Sequence, residues 1–315
     1  MEGTTHVAAV DLGATNVRAG LIRQDGTVIA FTADAVPANA CDDGGAVTEK
    51  IAAMISSMIR ESGVSPEAIG ISTAGPVDQN SGSVVGSPNM QCSRILLRDP
   101  LADLFHVPTV MLSDCKAGVL GEYFYGGASS AHTAAYVTIS TGIGCGVIAN
   151  GSLLTGSDGN AGEAGHFLVD TVYSLPCGCG GRGHWEAYAS GSGIPKFFSA
   201  WHAAKTAGRC LMKSGITAGQ ILQAAEIGSL LCREFAGELA KINARGISSV
   251  IAAYNPDLII LDGPIVRNYP SLIAGNMMTY IEHYLKMPEI RITTLEGRSP
   301  LIGAAAAAFR IGGIL

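Results

Sequence analysis

The chain has 315 residues, of which 48% are hydrophobic and 15% charged, and its formal net charge at pH 7 is −6. This length allows two domains or one large one, and the acidic balance argues against nucleic acid or an anionic membrane as the main partner. The N-terminus has no basic segment followed by a long apolar run, and no 18-residue apolar stretch occurs. We therefore expect a soluble, cytoplasmic protein.

The first predicted elements are a strand, a polar turn and a second strand. The apolar run Val7–Val10 enters the turn, Val17–Ile22 leaves it, and the dipeptide Asp25-Gly26 predicts a hairpin to a third strand. The turn carries residues suited to nucleotide phosphates and to a hydrated Mg²⁺: Asp11, Gly13, Thr15 and Asn16. A plain β-turn explains this short motif equally well.

The same plan recurs at Ala134–Gly156, where a strand enters the turn Thr141-Gly142-Ile143-Gly144 and a second strand ends at Asn150-Gly151. Two copies of a strand, phosphate turn and hairpin favour two similar halves that hold one nucleotide between them. The alternative is a pair of unrelated hairpins in α/β domains.

Between the copies, apolar residues at helical spacing predict a helix over Val47–Ser62. Ala68–Thr73 is a predicted strand that leads into the glycine-proline turn at Gly75, and Asn89 lies in a later loop. A further strand, Val107–Leu112, stops just before Ser113 and Asp114.

Asp114 stands where this strand gives way to a predicted helix at Ala117–Phe124. Open α/β sheets present reactive groups from such junctions, so the carboxylate is a candidate to accept a proton from a substrate hydroxyl. Helix capping is the commoner use of aspartate at this position.

A glycine-rich stretch from Gly159 to Ser190 carries four candidate metal ligands: His166, Cys177, Cys179 and His184. Two thiolates and two imidazoles are a donor set that tetrahedral zinc accepts, and four protein ligands would make the site closed and structural. Such a zinc would hold Glu163 and Glu186 in place. Two buried thiols with two unrelated histidines are the alternative.

The rest of the chain is predicted to be mainly helical, over Ala189–Trp201 and over Ile221–Val250 with a break near Gly228. A buried strand, Leu258–Asp262, ends in Asp262-Gly263-Pro264, a loop near which an adenosine could lie. We place the domain boundary near residue 112. A small N-terminal α/β domain then comprises 1–112 with the closing helix in 301–315, and a larger one comprises 113–300.

These motifs resemble the ROK family (repressors, open reading frames and kinases) of the actin/hexokinase superfamily, over nearly the whole chain. VDLGATNVRAGLI and ISTGIGCGVIANGSLL resemble its two phosphate loops, STAGPVD and SPNM its sugar-side segments, and SDCKAGVLGEYFYG its catalytic block. GEAGH followed by CGCGGRGHWEAYAS resembles its most specific signature, and the C-terminal LDGPIV and PLIGAAAAA are most similar to archaeal members.

The resemblance implies two RNase-H-like (actin-like ATPase) domains with an interdomain cleft, and ATP-dependent phosphorylation of a hexose at its 6-hydroxyl. Asp114 would be the general base in a reaction that depends on positioning and on Mg²⁺. The residues implied to bind the sugar are Gly75, Asn89, Asp114, Glu163, His166 and Glu186. Those implied to bind ATP and Mg²⁺ are Asp11, Gly13, Thr15, Asn16, Arg18, Thr141, Gly142 and Gly263.

The chain departs from the family pattern at several positions. Ala14 and Asn16 replace a glycine and a lysine of the first phosphate loop, so phosphate contact there rests more on backbone N–H groups. Ser113 and Lys116 replace two asparagines that flank the catalytic aspartate, and His184 replaces a cysteine. A Cys₂His₂ site is still suitable for zinc.

Glucose is the first predicted substrate, and an N-acylhexosamine (N-acetylmannosamine or N-acetylglucosamine) is the alternative. A sugar-responsive repressor would add an N-terminal DNA-binding segment, for which the strand beginning at Val7 leaves no room. A sugar-binding protein without catalysis is disfavoured by the intact Asp11 and Asp114. By the same resemblance we expect a homodimer or homotetramer.

Overall fold

The computed structural model describes residues 5–37, 44–86, 93–206 and 215–313. The chain is of the mixed α/β class and divides into two compact units. The first comprises Met1–Ser130, Ser152–Ala161 and Thr294–Leu315, and the second comprises Ala131–Gly151 and Gly162–Thr293. Among the described residues, no helix is both long enough and apolar enough to cross a membrane.

The first unit is built on a five-stranded sheet with the strand order β3-β2-β1-β4-β8. Strands β1, β2 and β3 pair antiparallel, whereas β4 pairs parallel with both β1 and β8. A small antiparallel sheet, β5-β6-β7, accompanies it. The strands are β1 (His6–Leu12), β2 (Asn16–Arg23), β3 (Val28–Ala35), β4 (Ile69–Thr73), β5 (Val77–Asp78), β6 (Ser83–Val85), β7 (Arg94–Leu96) and β8 (Thr109–Ser113). The helices are α1 (Gly45–Ser62), α2 (Arg98–Phe105), α3 (Asp114–Phe124) and α9 (Ser299–Ile311).

In the second unit, β10, β9, β12 and β13 lie side by side in that order. Strand β9 pairs antiparallel with β10 and parallel with β12, so it has the same kinds of neighbour as β1 in the first unit. The strands are β9 (Thr133–Ile139), β10 (Ile143–Ala149), β12 (Leu258–Asp262) and β13 (Glu289–Ile292). The helices are α4 (Glu186–Ala189), α5 (Ile194–Lys205), α6 (Ala218–Glu226), α7 (Leu230–Tyr254) and α8 (Pro264–Asn268), and the short strand β11 is Ser152–Leu153.

Most predicted elements are confirmed, with two corrections to the helices. Helix α1 ends at Gly63, whose φ of 70° lies in the left-handed region that glycine adopts readily. The helix predicted over Ala189–Trp201 is interrupted at 190–193, because Ser190 Oγ there accepts a hydrogen bond from the N–H of Gly193. Helix α3 begins at Asp114, three residues earlier than predicted.

The closing helix α9 packs against α3 and against strands β1 and β4 through very small side chains. A Cβ at Gly303 would overlap the carbonyl oxygen of Ala117 on α3, and one at Gly70 on β4 would overlap that of Ala304. The run Ala304–Ala308 is buried throughout. Because α3 packs on α9, it belongs to the first unit, whereas the predicted boundary near residue 112 separates α3 from that unit.

This packing predicts that Gly303→Ala destabilises the protein by about 1–3 kcal/mol, the usual cost of overfilling a packed core. Thermal or denaturant unfolding measures the effect. Gly237→Ala on α7 is the matched control, since a Cβ there meets no atom within 4 Å and alanine is the better helix former. A Gly303→Ala variant as stable as this control would contradict the packing argument.

Candidate functional site

Asp11 lies near the end of β1, where both neighbouring strands contact its carboxylate. In the strand registers it faces Arg18 on β2 and Ser72 on β4. Ser72 Oγ donates to Asp11 Oδ1 at 3.1 Å, and Arg18 Nη1 lies 3.8 Å from Oδ2. Arg18 also donates to the carbonyl oxygen of Gly297 at 3.2 Å, which fixes the guanidinium beside the carboxylate.

Asp114 is the first residue of α3 and follows directly on β8. Its Oδ1 accepts a hydrogen bond from the N–H of Cys115 at 2.7 Å. Burial raises the pKa of Asp114, although the bond to Cys115 and the charge of Lys116 oppose that rise. Burial, followed by the negative charge of Asp114, raises the pKa of Asp11 to about 6. The structure therefore brings two interacting carboxylates together in the first unit.

The sequence does not indicate the environment of the Lys116 side chain. The side chain is only 4% exposed, and its Nζ donates to Ser113 Oγ at 3.4 Å. Lys116 thus places a buried positive charge two residues after Asp114, within the first turn of α3.

The predicted phosphate turn of the first unit is exposed at Thr15 and Asn16, and the N–H of Gly13 closes it by donating to the carbonyl oxygen of Asn16 at 2.9 Å. Gly75 has a φ of 101°, a backbone conformation that disfavours other residues. Asn89 lies outside the described residues.

In the second unit, His166, Cys177, Cys179 and His184 form one cluster whose candidate ligand atoms all lie within 4.8 Å of one another. Cys177 Sγ is 3.7 Å from His166 Nδ1, and Cys179 Sγ is 3.2 Å from His184 Nδ1. A tetrahedral zinc with its usual bond lengths would separate these atoms by about 3.3–3.8 Å. The donor set and its spacing therefore fit zinc.

Two candidate sugar-binding glutamates flank this cluster. Glu163 Oε2 lies 3.8 Å from His166 Nε2, so the two nitrogens of that ring face the carboxylate and Cys177 respectively. Glu186 begins α4 directly after Trp185, whose indole N–H donates to Asn243 Oδ1 on α7 at 2.9 Å. The buried Trp185 ring thereby anchors the start of the helix that carries Glu186.

Glu186 also contacts the predicted phosphate turn of the second unit, a contact that the sequence did not predict. Its Oε2 accepts a hydrogen bond from the N–H of Ile143 at 2.9 Å, and a Cβ at Gly142 would approach the same oxygen to 2.5 Å. Only glycine at position 142 leaves room for this carboxylate.

A cavity of about 410 Å³ opens beside the same turn. Its walls include Thr141, one of the residues predicted to bind ATP, and Pro264, which follows another such residue, Gly263. Sequence reasoning missed Ser192, Thr217 and Gly219, which also line it. Thr217 and Gln220 form a capping box at the start of α6; that motif is legible in the sequence but signals only a helix start.

Comparison with known proteins gives consistent matches along the chain. It is 33% identical over 303 residues to a protein named Glucokinase from Pyrobaculum calidifontis, covering 96% of this chain and 94% of that protein. A Glucokinase from Thermotoga maritima is 30% identical over 299 residues, with coverage of 93% and 92%.

Two solved structures extend this similarity to the fold. A ROK hexokinase from Thermus thermophilus has a TM-score of 0.80 at 26% identity, covering 98% of this chain and 99% of that one. A ROK family glucokinase from Streptomyces griseus, solved with glucose and AMPPNP, has a TM-score of 0.78 at 26% identity, covering 97% and 99%. A model of the ROK family matches residues 7–310. The chain therefore belongs to the ROK family.

Proposed function

We propose that the protein is an ATP-dependent glucokinase that transfers the γ-phosphate of ATP to the 6-hydroxyl of glucose. The observation that carries this proposal is the half-buried Asp114 carboxylate with its raised pKa at the start of α3, in a chain that matches named glucokinases over nearly its full length. Two RNase-H-like domains are part of the same proposal. The TM-score of 0.78 to a glucokinase solved with glucose and AMPPNP supports it.

In the proposed reaction, Asp114 accepts the proton of the sugar hydroxyl as its oxygen attacks the γ-phosphorus. Oδ1 is engaged by the N–H of Cys115, so we assign the proton to Oδ2. Burial raises the pKa of this carboxyl group, which makes the ionised carboxylate a stronger base than a solvated one. No covalent nucleophile is needed, because phosphoryl transfer depends mainly on positioning and on charge neutralisation.

Asp11 is the residue that we propose to hold Mg²⁺ through the water shell of the ion. Burial, followed by the like charge of Asp114, raises the pKa of Asp11 to about 6. The two like charges fit a divalent cation, since its charge offsets their repulsion. When bound, Mg²⁺ supplies neutralisation of the phosphate charges. Arg18, 3.8 Å from Asp11, contributes a fixed positive charge beside it.

We place the nucleoside of ATP at the 410 Å³ cavity of the second unit and its phosphates near the turn at Thr141 and Gly142. Glu163, His166 and Glu186 are the proposed sugar ligands, since carboxylates and an imidazole can pair with adjacent hydroxyls. The Cys₂His₂ cluster would hold a structural zinc that keeps these three residues in place. The sugar contacts of Asn89 and Gly75, and the oligomeric state, stay predictions.

The function is tested by coupled measurement of ADP release with Mg-ATP and a panel of sugars. We expect glucose to give the highest kcat/KM among glucose, mannose, fructose, N-acetylglucosamine and N-acetylmannosamine. A higher value for an acetylated sugar would replace glucokinase with an N-acylhexosamine kinase. Turnover of none of the five would contradict the kinase function and favour a sugar-binding protein without catalysis.

For the base, we expect Asp114→Asn to lower kcat by about 10²–10⁴-fold, the usual contribution of a general base, with the Kd for glucose little changed. The same variant should unfold at a higher temperature, because it removes a half-buried charge whose pKa is raised. Calorimetry measures both Kd and melting temperature. Near-normal turnover by the variant would exclude Asp114 as the base.

For the metal, we expect Cys177→Ser to lower the zinc content below one per chain and to lower the melting temperature together with it. Elemental analysis and thermal unfolding measure the two quantities. Cys232→Ser is the matched control, since Cys232 is another buried thiol but lies on α7 outside the cluster. A loss of stability without a loss of zinc would count against a structural metal site.

A further inference from the structure

Glu186 has two links within the second unit. One is through the chain to the metal cluster and the other proposed sugar ligands, since Glu186 lies two residues after His184 and is itself a proposed sugar ligand at the start of α4. The other is to the nucleotide turn, where Oε2 accepts the N–H of Ile143 at 2.9 Å. One proposed sugar ligand therefore contacts the nucleotide turn directly.

Further hydrogen bonds join the chain after Glu186 to the same turn. The N–H of Gly191 donates to the carbonyl oxygen of Ser140 at 2.7 Å, and Ser192 Oγ donates to that of Thr141 at 3.0 Å. Ser190 Oγ bonds to Glu186 O at 2.7 Å and lies 3.1 Å from Ser192 Oγ. The two hydroxyl protons are used by the bonds to the carbonyls of Glu186 and Thr141, so Ser190 and Ser192 are close neighbours without a third bond between them. The chain after Glu186 is thus bonded to the turn at Ser140 and at Thr141.

We propose that Glu186 couples the two substrate sites, so that glucose and ATP each raise the affinity of the protein for the other. The proposal rests on the glucokinase function above and names a property of the same site. A sugar hydroxyl that donates to Oε1 fixes the rotamer of Glu186, and Oε2 then holds the Ile143 N–H and the adjoining turn in its nucleotide-binding form. Ser192 is a positioning residue that holds the other end of the turn.

The expected size of this coupling is set by the conformational freedom that the Glu186 side chain loses when the first substrate binds. Fixing one rotamer-rich side chain costs an amount that corresponds to roughly 3- to 10-fold in affinity. Because the second ligand binds to a turn that is already ordered, it avoids this cost. Thermodynamic linkage requires the same factor whichever substrate binds first.

Titration calorimetry tests the coupling in the full-length protein with glucose and a non-hydrolysable ATP analogue. In the unmodified protein, the Kd for the analogue should fall roughly 3- to 10-fold when glucose is saturating, and the Kd for glucose should fall by the same factor with saturating analogue. Each measurement is a ratio for one protein, so a direct effect of a substitution on nucleotide affinity cancels.

Two substitutions disrupt the contacts with the turn at different points, one at Glu186 and one at Ser192. Gly142→Ala places a Cβ against Oε2 of Glu186. Ser192→Ala removes the hydroxyl bond to the Thr141 carbonyl and leaves the longer bond, 3.4 Å, from the N–H of residue 192. We expect the coupling factor to approach one in Gly142→Ala, to fall in Ser192→Ala, and to recover in Ser192→Thr, which keeps the hydroxyl. Ser199→Ala is the matched control, since Ser199 makes the same kind of bond within α5, to the carbonyl of Pro195.

Two outcomes would overturn the proposal. In the first, the unmodified protein phosphorylates glucose but binds the two ligands independently, which removes the coupling and leaves the glucokinase function intact. In the second, the full coupling factor persists in both Gly142→Ala and Ser192→Ala, which places its origin elsewhere in the molecule. A protein that neither binds nor phosphorylates glucose would instead contradict the proposed function, and the coupling with it.

Discussion

The first unit depends on the close packing of α9 beneath α3 and the sheet. Glycine and alanine at the contact let the backbones of Gly303 and Ala117, and of Gly70 and Ala304, approach to a distance that no larger side chain permits. This packing fixes the axis of α3, and Asp114 is its first residue. The position of the proposed base is therefore set by residues that carry no chemistry of their own.

The position of Asp114 lowers the folding stability through electrostatic interactions. Burial raises the pKa of both Asp11 and Asp114, and the charge of Asp114 raises that of Asp11 further, which means that the ionised forms of both are destabilised in the folded chain. Arg18 and Lys116 offset part of this cost from β2 and α3. Two carboxylates beside two cations are expected at an active site, where a general base and a cation site are held in place at some cost in folding stability.

Much of the fold and of the candidate site could be predicted from the sequence, because both rest largely on local sequence patterns. The strand and turn at Asp11, the strand and helix at Asp114 and the spacing of Cys177 and Cys179 each lie within a few residues. What could not be predicted depends on partners distant in the chain. The bond from Ile143 to Glu186, the burial of Lys116 and the membership of α3 in the first unit follow from packing that brings separate segments together.

The orientation of the His166 ring affects which sugar epimer the proposed site recognises. Nδ1 faces Cys177 within the metal cluster, and Nε2 faces Glu163. A metal ligated through Nδ1 leaves the ring proton on Nε2, so the tautomer of the imidazole is no longer free to change. Nε2 is then a fixed hydrogen-bond donor, and the Glu163 carboxylate beside it is a fixed acceptor. Such a pair favours the sugar epimer that presents a hydroxyl oxygen to Nε2 and a hydroxyl proton to Glu163.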